Sequence, residues 1–82
     1  LQYLDAEGRA VGALPPAFAD AAALVPLFRQ MLFVRVFDTK AIALQRTGKL
    51  GTYASCLGHE ATHVGIGASM LPADVFAPSY RE

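Results

Sequence analysis

Residues 20–48 read DAAALVPLFRQMLFVRVFDTKAIALQRTG, and this stretch decides the fold. Asp20 is a side-chain acceptor suited to the N-cap of a helix, and Gly48 is suited to the left-handed residue that closes one. The spacing predicts one long helix over residues 20–47. Pro26 lies deeper than a first-turn proline, so the helix either begins nearer Ala23 or bends at Pro26. Apolar side chains from Leu24 to Leu44 occupy nearly every face, which predicts a helix buried all round. Arg35 sits three residues from Asp38 and four from Thr39, so they share a face and can pair. Arg46 and Lys49 fall at the negative end of the helix dipole.

On the N-terminal side, residues 1–19 read as a hairpin and a linker. Gln2-Tyr3-Leu4 and Arg9-Ala10-Val11 flank a turn at Asp5-Ala6-Glu7-Gly8. The linker Ala13–Phe18 is expected to be extended because of Pro15 and Pro16. On the C-terminal side, Leu50–Gly58 reads as a loop. A second helix is expected within residues 58–71, from about His59 to Met70, started by Ser55 or Gly58. Glu60 in its first turn suits the helix dipole and a capping role. Ala61, Gly65 and Ala68 form a flat strip. The helical glycines cost about 1 kcal/mol each against alanine, which a close neighbouring backbone would offset. Pro72 ends this helix, and Val75-Phe76-Ala77 leads as a short strand into Pro78-Ser79-Tyr80-Arg81.

The chain has 82 residues, 54% hydrophobic and 17% charged, with no net charge. A chain this short and this apolar needs other surfaces to cover it, so it reads as one segment, residues 1–82, of something larger. The lack of a basic stripe argues against nucleic acid and acidic membrane surfaces as partners. No uncharged apolar run reaches the ~18 residues of a membrane span. Cys56 is the sole cysteine, so no internal disulfide forms, and a reducing cytoplasm is the expected compartment.

Candidate chemistry clusters in two places. His59-Glu60-Ala61-Thr62-His63 matches the short zinc-protease pattern. No third ligand is evident and the motif coincides with a helix start, so packing or hydrogen-bonding roles are favoured. Cys56 has only His59 nearby to activate it and reads as a small hydrophobe. Tyr53 serves equally as a ligand contact or a core cap. Arg81 is a planar cationic fork suited to a phosphate, with the Tyr80 ring and hydroxyl beside it.

Four separated segments, in order, carry a resemblance: Met31–Asp38, Leu44–Tyr53, Gly58-His59-Glu60-Ala61, and Asp74–Glu82. Together they closely resemble the N-terminal part of the E1 α subunit of 2-oxo acid dehydrogenase complexes, with the pyruvate type favoured. The resemblance implies a mostly α segment (hairpin, long buried helix, short helix, short terminal strand) of a larger α/β fold that binds thiamine diphosphate. It implies oxidative decarboxylation of a 2-oxo acid and acyl transfer to the E2 lipoyl domain. The partners it implies are a β subunit, in an α2β2 heterotetramer, and E2. Tyr80 and Arg81 then correspond to contacts with the cofactor diphosphate, and Thr52 and Tyr53 to the substrate pocket. Gly58, His59 and Glu60 correspond to structure near the cofactor cleft. No catalytic residue and no metal ligand is expected among these residues. The magnesium-binding Gly-Asp-Gly…Asn motif is expected downstream, and the activating glutamate on the β chain, so these 82 residues alone are expected to be inactive. Thr52 stands where many relatives carry an aromatic, and His59 where Gln or Glu is common. Branched-chain and acetoin-type relatives remain alternatives, as does a helical interaction module without a cofactor.

Overall fold

The structure, a computed structural model, describes residues 2–81. Helix α1 spans Ala21–Arg46 and helix α2 spans Glu60–Ser69. Asp20 caps α1 as expected: its Oδ1 accepts from the Ala22 amide at 2.9 Å. The helix begins at Ala21, rather than nearer Ala23, and runs through Pro26. Its other end closes in a Schellman turn. Gly48 has φ +71°, the Lys49 amide reaches the Leu44 carbonyl at 2.9 Å, and the Gly48 amide reaches that of Gln45 at 3.0 Å. Helix α2 begins one residue after the expected start, behind Gly58 at φ +86°.

The N-terminal turn forms with a single antiparallel bridge, Leu4 to Ala10. Asp5 holds it, accepting from the amides of Glu7 at 3.0 Å and Arg9 at 2.7 Å. Leu1, the first residue of the expected hairpin, lies outside the described residues. The linker departs from the extended expectation, since Pro16–Phe18 form a single 3-10 turn. Pro16 takes its first position, where a fixed φ and a missing amide hydrogen cost nothing. That turn packs against α1.

The expectation of a helix buried all round is not met by the described residues. Along α1 only Asp38 and Ala41 are buried, while Phe28, Phe33, Val36 and Phe37 are exposed. One short helix and a loop can cover only one stripe of a 26-residue helix. The radius of gyration says the same. It is 15.5 Å, against roughly 12 Å for a compact domain of this length.

Two further differences have the same origin. Val75-Phe76-Ala77 does not form a strand, because among the described residues no strand lies beside it to pair with. A Cβ added at Gly65 or Gly67 would meet nothing within 4 Å. Within the described residues, therefore, no backbone approaches the small-residue strip of α2.

Candidate functional site

The buried stripe of α1 faces α2 and the loop between the helices. Two carboxylate anchors lie in this contact, Asp38 on α1 and Glu60 on α2, 4% and 5% exposed. Burial of a carboxylate is costly unless its oxygens are satisfied, and both sets are. Glu60 Oε1 accepts from Arg35 Nε at 2.5 Å, and Oε2 from the Gly58 amide at 3.0 Å. The pair ties α2 to α1, and the Gly58 bond folds the turn onto the helix start. Glu60 therefore braces the turn ahead of its own helix, and the N-cap residue, His59, makes no side-chain cap bond. The Arg35 hydrogen bond, followed by the helix-start amides, holds the Glu60 carboxyl down at about 2. Arg35 does not pair with Asp38 as the helical spacing suggested, because Glu60 takes it.

Asp38 instead gathers the loop. Oδ1 accepts from the Tyr53 hydroxyl at 2.9 Å and the Cys56 amide at 2.6 Å, and Oδ2 from the Ser55 hydroxyl at 2.8 Å. These bonds, the Cys56 amide first, hold its carboxyl below the usual range although burial opposes them. The Tyr53 hydroxyl is pushed up mainly by burial and further by its Cys56 and Asp38 neighbours, so it stays a neutral donor. The Tyr53 ring meets Phe37 edge to face at 6.2 Å, and its carbonyl accepts from Gln45 Nε2 at 3.4 Å. Sequence reasoning passed over Asp38 as a member of the site.

The C-terminal segment returns to this loop. Cys56 Sγ lies 3.7 Å from the Tyr53 hydroxyl and 3.8 Å from the Arg81 carbonyl. Cys56 is thus half-buried at a junction rather than part of a core. The Arg81 guanidinium lies 5.5 Å from the centre of the Tyr80 ring, and both side chains are exposed. No carboxylate among the described residues pairs with Arg81. Thr52 and His59 are exposed, and Gly58 forms the turn before α2.

The structure therefore brings the Tyr53 hydroxyl and the Arg81 carbonyl to Cys56 Sγ, with Thr52 next along the loop. The His59 and His63 rings are 5.7 Å apart and tilted by 46°. His63 Nε2 is buried and, among the described residues, without a hydrogen-bond partner. It borders a small apolar cavity of about 90 Å³ between α2 and Phe76. Among the described residues, no group of three or more acidic, histidine or cysteine side chains could hold a metal ion.

The family model of the dehydrogenase E1 component matches residues 28–82, and this chain belongs to that family. The pyruvate dehydrogenase E1 component subunit alpha of Bacillus subtilis (strain 168) is 36% identical over 83 aligned residues, covering 99% of this chain and 22% of the relative. The protein of the same name from Bacillus cereus is also 36% identical, covering 100% of this chain and 22% of the relative. That from Staphylococcus epidermidis (strain ATCC 12228) is 35% identical with the same coverage, 100% and 22%. The chain spans about a fifth of the length of these curated relatives. No solved structure matches it significantly.

Proposed function

We propose that residues 1–82 are one N-terminal segment of the α subunit of a thiamine-diphosphate-dependent 2-oxo acid dehydrogenase, with pyruvate as the substrate. The enzyme works as an α2β2 heterotetramer, passes its acyl group to the lipoyl domain of E2, and resides in the cytoplasm. The remaining α/β domain and the β subunit cover the apolar faces that α1 leaves exposed.

The observation that carries this reading is the meeting of two segments. The main chain of Arg81 reaches Cys56, in the loop that carries Thr52 and Tyr53, and among the described residues no carboxylate pairs with its guanidinium. A planar, permanently charged fork beside an aromatic hydroxyl suits a diphosphate. When bound, thiamine diphosphate supplies the electron sink for loss of carbon dioxide from the 2-oxo acid. Arg81 and Tyr80 bind and orient its diphosphate. Thr52 and the Tyr53 ring border the substrate, the Tyr53 hydroxyl being engaged by Asp38. Gly58, His59 and Glu60 keep the turn beside the cleft. Magnesium accompanies the diphosphate on ligands outside these residues.

The test is a titration of the full-length α subunit, assembled with its β partner, with thiamine diphosphate and magnesium. Arg81→Ala is expected to weaken cofactor binding by about 10- to 100-fold, the range for a hydrogen bond to a charged group. Unchanged affinity would remove Arg81 from the site. Steady-state rates on pyruvate against 3-methyl-2-oxobutanoate test the substrate, with pyruvate expected to be the better one.

A further inference from the structure

Asp38 is nearly inaccessible to solvent and makes no ion pair among the described residues. A buried carboxylate without a cation depends on its donors. All three come from one short piece of chain, at Tyr53, Ser55 and Cys56. The loop is fixed in return. Ser55 passes its own oxygen on to the Leu57 amide at 3.2 Å, and Cys56 extends the network through Sγ to the Arg81 carbonyl at 3.8 Å. A line of contacts therefore runs from mid-α1, through the loop, to the main chain of Arg81.

We infer that Asp38 is a positioning residue: its carboxylate holds the substrate loop and, through Cys56, the Arg81 main chain at one fixed spacing. This inference rests on the reading of Tyr53 and Tyr80-Arg81 as substrate and diphosphate contacts. A helix is a stiffer reference than either loop, so anchoring both segments to one helical side chain pre-sets their separation. Asparagine keeps an acceptor for the Tyr53 hydroxyl and the Cys56 amide. Its NH₂ group then faces the Ser55 hydroxyl, which can accept as well as donate. Alanine leaves all three donors unanswered.

The experiment uses the full-length α subunit assembled with its β partner, in wild-type, Asp38→Ala, Asp38→Asn, Ser55→Ala, Val64→Ala and Arg81→Ala forms. The readouts are the Kd for thiamine diphosphate, KM and kcat for pyruvate, and the thermal midpoint. Asp38→Ala is expected to raise both Kd and KM by about tenfold, and Asp38→Asn by no more than about threefold. Val64→Ala, which loosens the same helix contact away from the loop, is expected to lower the thermal midpoint with Kd and KM within about twofold of wild type. The inference is overturned if Asp38→Ala leaves both constants within about twofold, or if Val64→Ala moves them as far. Should Asp38→Ala fail to assemble, Ser55→Ala, which removes one donor of the loop to Asp38, decides: raised Kd or KM at an unchanged thermal midpoint supports the inference, and unchanged constants overturn it. Arg81→Ala separates the two readings. A raised Kd upholds the diphosphate reading whatever Asp38 does, and an unchanged Kd overturns it together with the Arg81 half of the inference.

Discussion

Two buried carboxylates sit on the contact between the helices, and they are answered in opposite ways. Glu60 meets a cation, Arg35, whose side chain is 51% exposed. Asp38 meets three neutral donors and, among the described residues, no cation. The first arrangement fastens one regular element to another, and its partner can be re-formed by any nearby positive charge. The second gives shape to an irregular segment, because each donor must arrive from a particular direction. The difference teaches where precision is placed. The Glu60 anchor supports α2, and the Asp38 anchor fixes the loop that borders the proposed substrate and cofactor contacts.

The comparison breaks most directly by removing each acid. Asp38→Ala is expected to cut kcat/KM for pyruvate by tenfold or more (about one unanswered set of hydrogen bonds). Glu60→Ala is expected to lower the thermal midpoint more than Asp38→Ala does, and kcat/KM less. Steady-state kinetics beside thermal unfolding of the assembled enzyme check the pair. Equal kinetic losses would erase the distinction.

A smaller effect sharpens the Glu60 side. Its carboxyl stands at about 2 in the folded chain against an ordinary 4.5. A depressed carboxyl stabilises fully above the unfolded value, and that stability is lost as pH falls through the folded one. The contribution is therefore complete above roughly pH 5 and disappears toward pH 2. Glu60→Gln is expected to lower the thermal midpoint at neutral pH and to flatten its slope over that window. A wild-type slope in the variant would contradict the assignment.

Val64, 7% exposed on α2, tests the apolar part of the same contact. Val64→Ala is expected to destabilise by about 1.5 kcal/mol, from two buried methylene equivalents, read from denaturant unfolding of the assembled protein. The smallest effect belongs to Arg35→Lys, which keeps the charge and loses the Nε donor. A half-exposed pair of this kind is screened by salt. The substitution is expected to lower the thermal midpoint by about 2 °C at low salt and less at high salt.

The legible parts of this fold were those governed by neighbours in sequence. Asp20, Gly48 and Gly58 mark helix limits through bonds spanning a few residues, and the observed limits of α1 and α2 follow them closely. The polar network was not legible. Asp38 takes its donors from 15, 17 and 18 residues away, and Arg35 meets Glu60 25 residues away. Helical spacing offered Arg35 and Asp38 to each other, and tertiary packing separated them. The Val75–Ala77 strand and the buried surroundings of α1 need partner surfaces that the described residues do not supply. In the candidate site, the Arg81 chemistry could be read from its side chain alone. Its approach to Cys56 could not, because that depends on how residues 71–81 return across the loop.

The most direct test of the account is a crystal structure of the assembled α and β subunits with thiamine diphosphate and magnesium bound. The account predicts the Arg81 guanidinium and the Tyr80 hydroxyl within about 3 Å of diphosphate oxygens, with Asp38 still accepting from Tyr53, Ser55 and Cys56. A diphosphate held elsewhere, with Arg81 turned to solvent, would contradict it.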